Sequence, residues 1–296
     1  MIHFTSCPLC ASPSISYAFT ATDHTVSQEQ FEVWKCDHCK GLFTQNVPEE
    51  NQIGSYYNSE DYISHSNTRE GWMNSLYHNV RNITLNGKKS LIEKETGIAA
   101  GTILDVGCGT GAFLNKMNKS GWQVTGVEPD AGARKTAADL YGLNIEPSAN
   151  LYNLPEAHYD AITLWHVLEH VHDIHGHLKE LARLLKKDGK LFIAVPNYTS
   201  ADAKQYKEMW AAFDVPRHLY HFSPHSMNVV LNKHGLKIRK MKPMWFDSFY
   251  VSMLSEKNQH QEGNMLNAFV SGLKSNMNAL TNNTNSSSII YIATKN

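Results

Sequence analysis

The chain has 296 residues, with 27 Lys and Arg against 28 Asp and Glu, 42% hydrophobic residues and 16 histidines. That length allows one large domain or two ordinary ones, and the apolar content is ample for a buried core, which excludes wholesale disorder. A net charge of −1 argues against broad electrostatic capture of nucleic acid or of an anionic membrane surface.

The chain opens MIHFTSCPLC, with no basic segment leading into an apolar one, so no signal peptide is expected. No apolar run approaches the roughly 18–20 residues of a membrane span, and a cytoplasmic protein is expected. Four of the five cysteines form two CxxC pairs, Cys7 with Cys10 and Cys36 with Cys39, separated by 25 residues. An odd cysteine count with paired knuckles fits a reduced metal-binding segment better than a disulfide scaffold. Two knuckles complete a tetrahedral four-thiolate zinc site, and a site closed by four thiolates is structural. Redox chemistry is the rival for a CxxC, but no thioredoxin-like strand context accompanies either pair. His38, inside the second knuckle, is read as a neighbour. Residues 1–45, with a β-rich stretch at Phe31–Trp34, are therefore expected to form a small zinc ribbon.

Residues 46–100 read as a linker and helical lid segment. Tyr56, Tyr57, Tyr62 and His65 precede a helix expected from Thr68 to Glu95, and they either cover a ligand or pack the ribbon onto the next domain. From Gly101 the pattern alternates strand and helix, the mark of a parallel sheet covered by helices. Strands are expected at Thr102–Val106, Gln123–Val127, Tyr159–Leu164 and Lys190–Val195, with a weaker one at Asn144–Glu146. Helices are expected at Ala112–Ser120, Ala131–Tyr141, Ile174–Lys186 and Pro224–Lys233. Leu236–Met241 begins a further strand, and Ser288–Thr294 is the last. The stretch at 245–286 is too long for a plain connection and is read as an insertion with a helix near Asn264–Leu280. The fold class is α/β, a doubly wound, mostly parallel sheet over residues 101–296.

The run ILDVGCGTGAFL, from Ile103 to Leu114, ends an apolar strand in Asp105 and places glycines at 107, 109 and 111 before a helix. Glycine there permits a tight turn and close approach of backbone N–H groups to a nucleotide. Glu128 ends the next strand, where a carboxylate can accept both ribose hydroxyls. Gly107, Gly109 and Ala112 also satisfy the nicotinamide-dinucleotide fingerprint, so that rival stays open.

Over roughly residues 70–296 the chain resembles the class I S-adenosylmethionine-dependent methyltransferases. The matching elements are Asp105 followed by Gly107, Gly109 and Gly111, then GVEPD with Glu128, then NLYNLP at 150–155, then YDAITLWHVLEHV at 159–171. The resemblance implies a Rossmann-like fold with an antiparallel last strand and S-adenosylmethionine as cofactor. It implies donor contacts from Asp105, the three glycines, Glu128, Asn150, Leu151 and His166. Asn150 departs from the Asp that many relatives carry.

Histidines cluster after the fourth strand, most tightly as His166-x-x-Glu169-His170. The string matches an inverted zinc-protease motif, but His166 falls at the end of a strand, not on one helix with His170. Some methyltransferases of quinone and small-RNA pathways hold a divalent metal with a Glu-x-x-Glu-His segment here, so His166, Glu169 and His170 are also a candidate second metal site. The favoured reading is metal-free, with His166 near the donor and available as a base. His172, His175 and His177 are read as solvated. A second group, Asp214 to Ser223, carries Arg217, His218 and His221 and resembles a PRHLYHFS stretch of bacterial relatives with the same ribbon. A histidine near its ordinary pKa can take a hydroxyl proton at neutral pH, and His218 is favoured as base, followed by His221. Trp210, Trp245 and Phe246 are candidate pocket walls.

The expected function is methyl transfer to a small-molecule or glycan-type acceptor. An RNA methyltransferase is the enzymatic rival, because FTSCPLC resembles the zinc-finger start of a guanine-methylating family. The neutral charge and the absence of a Lys/Arg-rich stripe count against it. A cofactor-binding interaction protein without turnover is the non-enzymatic rival. Oligomeric state is not legible.

Overall fold

The computed structural model describes residues 1–57, 72–245, 247–259 and 283–296. Tyr62, His65, Phe246 and the helix expected near 264–280 lie outside the described residues. Strands β1 (Ile15–Thr22), β2 (Gln30–Cys36) and β3 (Leu42–Thr44) form an antiparallel N-terminal meander. Helix α1 (Trp72–Thr96) follows, then β4 (Thr102–Val106), α2 (Ala112–Asn118), β5 (Gln123–Val127) and α3 (Ala131–Tyr141). Next come β6 (Tyr159–Trp165), α4 (Ile174–Leu184), β7 (Leu185–Pro196) and α5 (Ala201–Tyr206). The chain continues through β8 (Tyr220–His221), α6 (Pro224–Asn232), β9 (Leu236–Pro243), α7 (Asp247–Gln259) and β10 (Ser288–Lys295).

The main sheet has the order β5-β4-β6-β7-β10-β9. β5, β4, β6 and β7 are parallel, while β10 runs antiparallel to both β7 and β9. Alternation along each strand divides its side chains between two covered faces. Ile103, Ala161, Phe192, Ala194, Ile290 and Ile292 pack with Ile92 of α1 and with Phe113 and Met117 of α2. Leu104, Val106, Ile162, Leu164, Ile193 and Val195 pack on the other face against α4 and α6. In α4 the buried residues Ile174, Leu178, Leu181 and Leu184 recur at helical spacing and form one stripe.

Local chemistry sets the helix starts. The side chains of Asp130, Asp173 and Ser223 accept the backbone N–H groups of Ala133, Gly176 and Ser226, and Pro224 follows Ser223 in the first turn. Such caps satisfy otherwise orphaned donors. The expected strands at 102–106 and 123–127 and the helix at 131–141 appear with those bounds. Asn144–Glu146 reduces to a single bridge from Glu146 to Val127. The helix expected to Lys186 stops at Leu184, because Leu185 already pairs with Tyr159 and β7 begins with no intervening loop. Within 245–286 the described helix is α7.

The N-terminal sheet has the order β1-β2-β3-β8, and its fourth strand comes from beyond β7. Leu42 pairs with His221 and Phe43 with Tyr220. Cys7, Leu9, Cys36, Cys39, Phe43 and Val47 share one buried core with the main sheet. The boundary expected at residue 45 is thus crossed by a sheet and by a core.

Candidate functional site

The carboxyl edge of the parallel strands carries the glycine loop. Gly107, Gly109 and Gly111 have φ of 67°, 54° and 74°, the left-handed region that glycine enters without steric cost. A Cβ on Gly107 would stand 2.5 Å from Val167, whereas one on Gly109 would meet nothing within 4 Å. The loop is therefore packed at its base and open at Gly109. Glu128 faces it, with Oε2 accepting the Gly109 N–H at 2.8 Å and Oε1 the Asp130 N–H at 3.0 Å. Each oxygen keeps a lone pair for a further donor. Burial raises the Glu128 carboxyl despite these two backbone bonds. Asp105, fully enclosed, accepts from Thr163 Oγ1 at 2.6 Å, and desolvation pushes its carboxyl up to about 7.

Asn150 donates to Glu146 Oε2 at 2.8 Å. Leu151 is fully buried in the main core, and its carbonyl accepts the Leu154 N–H that closes this turn.

Beyond β6 the histidines gather around Glu169, a fully buried carboxylate. His166 has φ of 57°, an uncommon conformation for a residue with a Cβ. Its Nδ1 lies 3.3 Å from Glu169 Oε1, and its Nε2 lies 3.4 Å from Met244 Sδ and 3.8 Å from Asp247 Oδ1. Neither Glu169 oxygen has a hydrogen-bond partner among the described residues. Burial pushes that carboxyl up, but the surrounding imidazoles, His166 foremost, leave it below the ordinary value. Burial also depresses His166, which Asp247 and Glu169 more than offset, so its pKa stands above the usual imidazole value.

Ligand atoms of Glu169, His170 and His218 lie within 4.8 Å of one another. His170 Nδ1 is 3.0 Å from the Arg217 carbonyl and 3.0 Å from Tyr57 Oη, and His218 Nδ1 is 2.8 Å from the Ala212 carbonyl. A carbonyl only accepts, so each Nδ1 carries a proton, and in the neutral ring the lone pair is on Nε2. Desolvation, reinforced by His218, lowers His170 to about 4, so it is neutral at pH 7. The group that converges thus includes His218, which the sequence places 48 residues beyond His170. His221 turns the other way, its Nε2 3.1 Å from Thr44 Oγ1 in the ribbon sheet and its pKa driven well down by burial.

The segment carrying His218 is clamped. Arg217 is fully buried and donates to Asp23 at 2.8 Å, to Asp214 at 2.6 Å and to the Tyr56 carbonyl at 2.7 Å. Asp23 also accepts three successive backbone N–H groups, from Thr25 to Ser27. Thr44 Oγ1 donates to the His218 carbonyl, and Leu219 donates its N–H to the Glu169 carbonyl. The ribbon is in this way a wall of the histidine chamber.

His172, His175 and His177, expected to be solvated, are half-buried instead. They contact the Pro48 carbonyl, the Pro8 carbonyl with His234, and Tyr152 respectively. Trp210 is buried and donates to Asp202, whereas Trp245 is exposed.

The four cysteines converge, with Cys7 and Cys39 sulfurs 3.6 Å apart and Cys10 and Cys36 likewise 3.6 Å. A tetrahedron with metal–sulfur bonds of about 2.3 Å has edges of about 3.8 Å, so the thiols fit a zinc ion. The Cys39 thiol and burial push Cys7 far up, and burial lifts Cys10 to about 11. Four thiols closed on each other have no use for such proximity unless a cation turns them into thiolates.

Sequence reasoning named Tyr57 and Arg217 but missed Asp23, which meets Arg217 across 194 residues of chain with no local pattern to mark it.

Residues 80–241 match the profile of a family described as a methyltransferase domain. The ubiquinone biosynthesis O-methyltransferase of Maricaulis maris is 34% identical over 151 residues, 46% of this chain and 59% of that protein. The protein of the same name from Vibrio cholerae is 33% identical over 162 residues, 52% of this chain and 62% of its own length. The chain thus spans less than two thirds of these relatives. Magnesium protoporphyrin IX methyltransferase from Synechocystis superposes with a TM-score of 0.52 at 14% identity, covering 82% of this chain and 98% of that one. The cyclase SpnF superposes with a TM-score of 0.52 at 18% identity, covering 84% and 97%. A fold shared by a cyclase and a methyltransferase assigns no reaction by itself. Among the described residues, no helix is long and apolar enough to cross a membrane.

Proposed function

The chain belongs to the methyltransferase-domain family whose profile it matches over residues 80–241, and from this we propose that it transfers a methyl group from S-adenosylmethionine to a hydroxyl of a small-molecule or glycan-type acceptor. The observation that carries the proposal is the pairing of an open glycine loop facing Glu128 with a histidine chamber at the same sheet edge. In this reading Glu128 receives the ribose hydroxyls, the loop from Gly107 to Gly111 lies along the donor, and the turn at Asn150 and Leu151 borders the adenine. The acceptor oxygen attacks the methyl carbon in line, the carbon–sulfur bond breaks and its electron pair stays on sulfur. The hydroxyl proton goes to an imidazole, for which His218 Nε2 is the assigned acceptor. Alignment of two bound reactants is worth about 7–11 kcal/mol and a positioned base about 10²–10⁴-fold, so positioning is the larger share.

Native mass spectrometry of the purified protein with S-adenosylhomocysteine tests the donor half. One nucleoside per chain is expected. A protein that ignores the nucleoside but is stabilised by a nicotinamide dinucleotide would be an oxidoreductase instead.

The buried Glu169 carboxylate, without a hydrogen-bond partner among the described residues and grouped with His170 and His218, favours a second reading. Glu169, His170 and His218 would then hold a divalent cation, which would supply a lowered pKa to a hydroxyl bound on it. The donor set suits this role, since each imidazole is oriented by a backbone carbonyl. Titration with Mn²⁺ followed by electron paramagnetic resonance distinguishes the two. One tightly bound ion, lost in Glu169→Gln, supports the metal reading, and no bound ion leaves His218 as the base.

A further inference from the structure

Asp23 lies in the turn between β1 and β2, buried and far in sequence from every group the reaction as described employs. The turn fixes its carboxylate before any distant partner arrives. Oδ1 accepts the N–H groups of Thr25 and Val26, and Oδ2 accepts that of Ser27. The remaining capacity of Oδ1 goes to Arg217 Nη2 at 2.8 Å. Arg217 is saturated in turn. Nε and Nη2 donate to Asp214 at 3.0 and 2.6 Å, and Nη1 donates to the Tyr56 carbonyl at 2.7 Å.

The same arginine reaches both imidazoles of the chamber. Its carbonyl accepts from His170 Nδ1 at 3.0 Å, and the next residue, His218, donates from Nδ1 to the Ala212 carbonyl at 2.8 Å. Tyr57, beside the carbonyl that Nη1 holds, places its hydroxyl 3.0 Å from His170 Nδ1. Burial works against the carboxylates of Asp23 and Asp214, and Arg217 more than offsets it, so both stand below the ordinary value. A buried ion pair adds little stability over apolar side chains of the same volume, but its directional bonds admit one arrangement of the groups they join. Stability alone therefore does not account for the cluster.

We propose that Asp23 is a positioning residue for the histidine chamber, acting through Arg217 to hold the segment from Asp214 to Leu219 so that His170 and His218 both keep a proton on Nδ1. Without it the guanidinium turns to Asp214 alone, the Arg217 carbonyl moves with its chain, and each ring is released to the other tautomer. The ribbon turn is then part of the reacting unit. This assignment rests on the reading of His218 as the acceptor-side imidazole, whether as base or as cation ligand.

Long-range proton–nitrogen NMR spectra of the full chain in alkaline buffer test it, because they report which ring nitrogen carries the proton. His170→Gln and His218→Gln identify the two sets of signals. In the wild type both rings are expected as single Nδ1–H tautomers. Asp23→Ser keeps a hydroxyl that caps the turn but is too short to reach Arg217, and both rings should lose the single form for a mixture of the two neutral tautomers. Asp23→Asn, which keeps the shape and removes the charge, should lose it in part. S-adenosylhomocysteine affinity and zinc content, measured on the same samples, should stay at their wild-type values. Unchanged imidazole signals in both variants overturn the assignment. So does a loss of tautomer, nucleoside affinity and zinc together in both variants, which would make the pair a folding element only. A wild-type chain that ignores the nucleoside sinks the functional reading alone, and the imidazole signals, with zinc content reporting the fold, still decide the positioning.

Discussion

Glu128→Ala is expected to abolish measurable donor binding at concentrations that saturate the wild-type protein. Two hydrogen bonds to a charged acceptor contribute about 1.5–3 kcal/mol each, so the loss should reach roughly 10²–10⁴-fold. The geometry deepens the effect, because Glu128 also receives the Gly109 and Asp130 N–H groups. Its removal loosens the loop whose openness at Gly109 admits the ligand. Burial raises the Glu128 carboxyl, and only the ionised form accepts from both hydroxyls and both backbone donors. Donor affinity in the wild type should therefore fall as pH falls through that raised pKa. Titration calorimetry with S-adenosylhomocysteine across pH reads both effects, and wild-type affinity in the variant would remove Glu128 from the site.

Cys36→Ser is the second large effect. A structural zinc site contributes about 10–16 kcal/mol of folding free energy, as large as the whole net stability of about 5–15 kcal/mol of an ordinary domain. Three remaining thiols hold the ion less tightly, and the loss spreads, since β3 pairs with β8 and the cysteines lie in the main core. The variant should lose its zinc by elemental analysis and melt at a lower temperature across the whole chain. Equal zinc content with an unchanged melting curve would sink the four-cysteine site.

Legibility in the sequence followed the range of the interactions concerned. The strands 102–106 and 123–127 and the helix between Asp130 and Gly142 were readable because alternation, a capping carboxylate and a left-handed glycine act within a few residues. The glycine loop and Glu128 were readable for the same reason. What could not be read depends on distant partners. Arg217 meets Asp23 across 194 residues of chain, and Lys88 reaches Trp165 from a helix whose own pattern says only that it is a helix. The convergence of His218 on Glu169 and His170 is equally tertiary, whereas HxxEH alone suggested His166 as the third member. The half-buried state of His172, His175 and His177 shows the same limit, since their partners belong to the linker, to the ribbon and the segment after α6, and to the turn at Tyr152.

The placement of β10 has a consequence for biosynthesis. Its eight residues, Ser288–Lys295, pair with β7 on one side and β9 on the other. Until they leave the ribosome, both of those strands present unpaired edges, and their apolar residues lack the neighbours Ile289, Tyr291 and Ile292. The N-terminal meander and the β4–β6 half can form earlier, but the sheet closes only after translation has passed residue 295. Open strand edges at that stage are the species that chaperones engage and that aggregate when they are not engaged.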